Sequence, residues 1–323
     1  MPILSINDYK PPFLLRNNYI NTLYPYFFRK FEPIKYHRKR VHTVDNDFFD
    51  VDFSLLKNPP HQPRKLAIII HGLEGSSHSQ YMKGHTIALN NAQYDVAAIN
   101  FRSCSGQINI TKRLYHSGFT EDLHYFINNY SATYERIYII GFSMAGNMVL
   151  KYVSDAIYKL SNKIKAIVAV SAPIDLKGSS NEFKKTRNKI YDYNFLNSLI
   201  DKVKEKHGQF PDAFSLEDLK KIKTLYDFDD YFTAPMHDFE SADDYHEKSN
   251  AEQFLSNIKI PSLLINSRDD SFLSIKCYPY EQANESDYLY LLTPEYGGHL
   301  GFANFRSSDY WIESQVVDFL DLW

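Results

Sequence analysis

From residue 65 onward, short apolar runs of strand length alternate with stretches whose apolar positions recur at helical spacing. The runs predict strands over 65–71, 94–101, 136–142, 165–171, 260–266 and 288–293. Between and after them, the spacing predicts helices over 78–91, 120–129, 144–158 and 310–322. Near-continuous apolar strands separated by helices belong to a mostly parallel sheet covered on both faces. Upstream, 38–44 and 48–53 flank the turn-like Asp45-Asn46-Asp47, which predicts an antiparallel hairpin added to the sheet edge. The pattern as a whole reads as an α/β fold with a sheet of about eight strands.

The alternation breaks over 176–250, where charged helical stretches at 195–206 and 216–225 replace strands. An insertion of that size between two late strands reads as a helical cap. Its Lys- and Glu-rich runs read as solvated helix faces. The first 35 residues, with Pro11-Pro12 and the aromatic cluster from Tyr24 to Phe28, read as an extended arm and a short helix packing on the body. The organisation expected is an arm (1–35), a core (36–175 and 251–323) and a cap (176–250).

Composition narrows the class. With 323 residues, 44% hydrophobic and 23% charged, the chain resembles an ordinary soluble globular protein with a large core. A net charge of -3 with both signs interspersed gives no electrostatic footprint for nucleic acid. Met1 to Lys10 show neither a basic start nor an apolar run before small residues, and no apolar stretch approaches the ~20 residues of a membrane span. These features read as a cytoplasmic protein. Cys104 and Cys277, far apart and outside any C-x-x-C spacing, read as reduced thiols. Tyr and Phe are enriched, which suits a core built from them or an apolar pocket. The aromatic arm leaves dimerisation or peripheral membrane contact open.

The chemistry begins at Gly141-Phe142-Ser143-Met144-Ala145-Gly146, which follows an apolar strand and opens a helix. A serine at such a turn is forced into a strained backbone conformation that lifts its hydroxyl above the strand ends. Small neighbours at Gly141 and Ala145 keep flanking side chains from colliding. The alternative is a serine that merely caps the helix. A nucleophilic Ser143 requires a base, and the base an orienting acid. Ser267-Arg268-Asp269-Asp270 follows the strand at 260–266, and Gly297-Gly298-His299-Leu300-Gly301 follows the last strand, in the order serine, acid, histidine. Either Asp269 or Asp270 can face the imidazole, and Asp270, one residue further past the strand, is preferred.

Upstream, His71-Gly72-Leu73-Glu74-Gly75-Ser76-Ser77-His78 follows the first parallel strand. Its glycines let the loop fold back so that the Leu73 and Met144 amides converge on an oxyanion. Glycine-rich loops also bind phosphate, but neither G-x-G-x-x-G nor G-K-[ST] is present. His71 and His78, seven residues apart and without an acidic partner set, give no metal-site spacing. Neither a metal nor a cofactor is called for.

Other segments add to these: Leu15-Arg16-Asn17, Asn100-Phe101-Arg102-Ser103-Cys104-Ser105-Gly106, Tyr115-His116-Ser117-Gly118 with Glu121-Asp122, and Phe228-Asp229-Asp230 with Asp244-Tyr245. Together with the loops above, they are similar to the YheT-like branch of the α/β-hydrolases, which includes eukaryotic abhydrolase-domain lipases and esterases. The resemblance covers nearly the whole length. It implies the α/β-hydrolase fold and a carboxylesterase or lipase-like activity, with Ser143, Asp270 and His299 as triad. Ser103 and Ala145 depart from the family's glycines, and the arm lacks its tryptophans. The reaction expected is hydrolysis of short- to medium-chain acyl esters through an acyl-enzyme. The same residues also allow acyl transfer to an alcohol or thiol, and the fold alone allows a non-catalytic binding protein. His116 and the Cys104-Ser105-Gly106 loop, after the strand at 94–101, are candidates for the pocket floor or for plain loop packing.

Overall fold

The apolar run Lys65–Ile70 forms β3, buried almost throughout because helices cover both of its faces. The computed structural model describes residues 9–58, 63–305 and 309–323; the start of the expected arm, residues 1–8, lies outside the described residues. Around β3 run β1 (His37–His42), β2 (Phe48–Ser54), β4 (Asp95–Asn100), β5 (Arg136–Phe142), β6 (Ile164–Val170), β7 (Ser262–Ile265) and β8 (Leu289–Leu292). They form one sheet in the order β1-β2-β4-β3-β5-β6-β7-β8. β2 is antiparallel to both its neighbours and every other pairing is parallel. The expected hairpin is this edge: Thr43 N–H donates to the Asp47 carbonyl across its turn.

Helices α1 (Asn18–Phe28), α2 (Gln80–Asn91), α3 (Glu121–Tyr130) and α4 (Met144–Ser154) precede the insertion. α4 stops short of the expected residue 158 because Ala156 takes a left-handed backbone, φ +58°. Between β6 and β7 lie α5 (Leu176–Phe183), α6 (Lys189–His207), α7 (Leu216–Leu219), α8 (Leu225–Phe228), α9 (Ala234–Met236) and α10 (Ala242–Ser249), with one π turn at Asp229–Thr233. The helix expected over 216–225 is split, because the Thr224 side chain caps a new start at α8 by accepting from the Asp227 N–H. α11 (Tyr280–Glu285) and α12 (Trp311–Leu320) complete the chain.

Apolar side chains pack on both faces of the sheet. Phe126 and Met148 of α3 and α4 join Ile68 and Ile139 on one face, while Met82, Leu89 and Val316 of α2 and α12 join Ile69 and Ile140 on the other. Each such burial contributes about 1.5–3 kcal/mol. The insertion has its own apolar cluster, including Leu199, Val203, Phe214 and Phe232. Arg102, buried at the end of β4, donates to Asp122 of α3 and to Asp45 and Asp47 in the hairpin turn. Burial opposes its charge, but Asp122 and Asp45 more than offset that and hold the guanidinium protonated. The edge hairpin is thereby braced to the loop end of the sheet, the end at which the candidate site lies.

Candidate active site

At the end of β5 the chain turns into α4 through Ser143, whose φ of +53° and ψ of -122° lie outside the ordinary regions for a residue with a side chain. The turn is tight: a Cβ on Gly141 would lie 2.3 Å from the Ala145 carbonyl oxygen. Ser143 makes no side-chain capping bond to α4, so helix capping does not explain it. Its Oγ instead lies 2.8 Å from His299 Nε2.

His299 Nδ1 lies 2.8 Å from Asp270 Oδ2, with both side chains almost fully buried. The neighbouring Asp269 points elsewhere. Its Oδ1 accepts the Gly298 N–H at 2.9 Å, and burial pushes its carboxyl above the usual range. The serine, the histidine and one of the two aspartates are therefore brought together across 156 and 29 residues of chain.

The histidine loop needs its glycine. Gly298 has φ +55°, and a Cβ there would meet Thr22 Oγ1 at 2.5 Å. The contact is with α1: Thr22 Oγ1 accepts the His299 N–H at 2.9 Å, and Asn18 Nδ2 donates to the Asp269 carbonyl at 2.9 Å. Sequence reasoning did not find this buttress. Thr22 and His299 are 277 residues apart, and a threonine in a helix carries no local signal for it. Phe272, also not anticipated, packs its ring 4.3 Å from that of His299.

The loop after β3 abuts the serine, since a Cβ on Gly72 would lie 2.9 Å from Ser143 Cβ. Leu73 and Met144 line the same pocket as Ser143. The first amides of a helix have no intrahelical partner, which leaves the Met144 N–H available to a ligand. His71 acts within the fold: its Nε2 accepts the Phe101 N–H at 3.1 Å, so Nδ1 carries the hydrogen and donates to the Gly72 carbonyl at 2.7 Å. Burial pushes its pKa down to about 4, which keeps it neutral.

The pocket above Ser143 encloses about 950 Å³ of empty space, its open mouth included. Its walls come mainly from the insertion, with Phe183, Phe195, Leu199, Leu225, Phe228 and Met236 among them. His116 lines it as well. Cys104 packs behind it against the Lys202 ammonium. The lysine-rich run of α6, expected to be a solvated face, is solvated only in part: Asp201, Lys204 and Glu205 are exposed, but Lys202 and Lys206 point inward, and Lys206 is fully buried. Helix faces are set by rotation about the axis, which a mixed charge pattern does not reveal.

A strand–serine–helix turn, with a histidine and an acid at the ends of later parallel strands, defines the α/β class of hydrolases. A family model described as alpha/beta hydrolase fold matches residues 66–304. YheT of Escherichia coli (strain K12), named as an esterase, is 31% identical over 94% of this chain and 90% of that protein. The monoacylglycerol lipase of Saccharomyces cerevisiae is 26% identical over 80% of this chain, which spans 59% of that lipase. An esterase of Pyrococcus furiosus shares the fold with a TM-score of 0.59 at 19% identity, over 91% of this chain and 94% of that one. The chain belongs to the alpha/beta hydrolase fold family, among its YheT-like members. It is a carboxylic ester hydrolase. Among the described residues, no helix is long and apolar enough to cross a membrane.

Proposed function

We propose that the chain hydrolyses short- to medium-chain acyl esters through an acyl-enzyme on Ser143. Ser143 Oγ attacks the ester carbonyl while His299 Nε2 takes its proton, and Asp270 stabilises the imidazolium that forms. The Leu73 and Met144 amides hold the negative oxygen of the tetrahedral intermediate. His299 then returns the proton to the leaving alcohol oxygen, the carbonyl reforms, and the acyl group stays on Ser143. Water, deprotonated by His299, attacks that acyl ester; the Ser143 Oγ–acyl bond then breaks, His299 returns the proton to Ser143 Oγ, and the carboxylic acid leaves. The cap over 176–250 supplies the wall against which the acyl chain packs.

The observation that carries this reading is the run of two 2.8 Å contacts, Ser143 to His299 to Asp270, beneath an apolar pocket. The names of the relatives, an esterase and a monoacylglycerol lipase, agree with it. Ser143→Ala is expected to lower kcat on p-nitrophenyl butyrate by a factor on the order of 10⁶, with an unchanged far-UV spectrum and no fluorophosphonate labelling. Undiminished turnover in that variant would reject Ser143 as the nucleophile.

A further inference from the structure

Along α6, Ser198, Lys202 and Lys206 recur every four residues and share one face of the helix. That face is turned toward the core. Lys206 Nζ donates to the Asn109 carbonyl at 2.7 Å and to that of Thr111. Lys202 Nζ donates to Glu74 Oε1 at 2.6 Å and to Cys104 Sγ at 3.1 Å, and Ser198 Oγ donates to Glu74 Oε2. From the core, the Tyr115 hydroxyl donates to Glu74 Oε1 at 2.5 Å and accepts the Glu74 N–H at 2.9 Å. Three donors thus hold one carboxylate whose side chain is 6% exposed.

Glu74 immediately follows Leu73 in the turn closed by the Gly75 N–H and the Gly72 carbonyl at 3.1 Å. Its φ is +56°, at a turn position that ordinarily takes glycine or asparagine. A glutamate in the left-handed region costs roughly 1–2 kcal/mol and persists where its surroundings over-determine it. Here they do so through the side chain, and most of that hold comes from the insertion. Without Lys202, the buried carboxylate would lose its only counter-charge within salt-bridge distance among the described residues.

We infer that Glu74 and Lys202 are positioning residues for the Leu73 amide, so that the oxyanion hole is set when α6 is seated on the core. The inference rests on the reading of Leu73 as an oxyanion donor. It has a consequence for specificity. Phe195 and Leu199 of the same helix line the pocket, so an acyl chain packing on them also favours the seated helix. Acyl binding energy then appears in kcat as well as in KM.

The test compares wild type, Ser143→Ala, Lys202→Met, Lys202→Arg, Glu74→Gln and the double variant Lys202→Met/Glu74→Gln on p-nitrophenyl butyrate, together with inhibition by butylboronic acid, whose serine adduct mimics the tetrahedral intermediate. A single oxyanion donor is worth ~10²–10³ in kcat. Misaiming it in Lys202→Met is expected to lower kcat by ~10–100-fold, to leave KM within about threefold and to weaken the boronate by the same factor as kcat. Lys202→Arg recovers most of the loss, and Lys202→Met/Glu74→Gln is no worse than Lys202→Met alone. A folded Lys202→Met enzyme with wild-type kcat, a loss confined to KM, or a loss of kcat with unchanged boronate affinity overturns the inference. If Lys202→Met does not fold, Glu74→Gln, which keeps the side-chain volume, decides by the same three readouts. An inactive wild type or an active Ser143→Ala variant would instead overturn the Ser143 reading itself.

Discussion

Two adjacent aspartates show how much one peptide unit decides. Asp269 and Asp270 both follow β7, and residue type alone does not separate them. In the folded chain Asp269 holds the Gly298 N–H while Asp270 faces the ring of His299. Asn at 270 cannot hold the imidazole in the tautomer that accepts from Ser143, so Asp270→Asn is expected to lower kcat by ~10⁴. Asn at 269 keeps an oxygen for Gly298, and Asp269→Asn is expected to stay within about tenfold of wild type. Steady-state kinetics on one p-nitrophenyl ester checks both, and the reverse ranking would reassign the acid. The strained backbone at Ser143 was legible in the sequence because flanking small residues and a strand-to-helix switch are local features. The partner of its hydroxyl was legible only as a histidine expected after the last strand.

Among the elements, α6 carries the largest gap between pattern and outcome. Its lysines and acids are interspersed, and its solvent face is not separable from its inward face by charge. The structure turns Lys202 and Lys206 toward the core and Phe195 and Leu199 toward the pocket. Trimming Phe195 to alanine lengthens the pocket on the side walled by the insertion. Each added methylene that finds apolar contact is worth about 0.8 kcal/mol, or roughly fourfold in kcat/KM. Phe195→Ala is therefore expected to move the optimum of a p-nitrophenyl ester series up by about two carbons, and an unmoved optimum would place the acyl chain elsewhere. The short helix α1 holds the histidine loop through Thr22 and the aspartate loop through Asn18, a role that its aromatic sequence does not announce.

The whole molecule responds to pH through histidines shut away from water. Burial pushes the pKa of His71 down to about 4 and that of His237 to about 3, and holds His116 well below its ordinary value. Above about pH 6.5 these rings are neutral in both folded and unfolded chains. Below it the unfolded chain takes up protons that the folded one refuses, so stability is lost as pH falls. Each histidine contributes a slope of up to about 1.4 kcal/mol per pH unit. Urea unfolding between pH 6.5 and 5 is expected to show this decline, and His237→Phe to flatten it by up to one such increment. A pH-independent unfolding free energy over that window would contradict it.

The boundary between what was legible and what was not follows the range of the physics. Apolar runs and helical spacing are properties of consecutive residues. They sufficed for the eight strands, the insertion between β6 and β7, and the placing of a serine, acids and a histidine each after its own strand. Other features depend on segments that meet only after folding: Thr22 beneath His299, Lys202 on Glu74, and a pocket walled by the insertion. Each depends on how far an element rotates about its axis as it packs, and packing is a property of the assembled core rather than of neighbours in the chain.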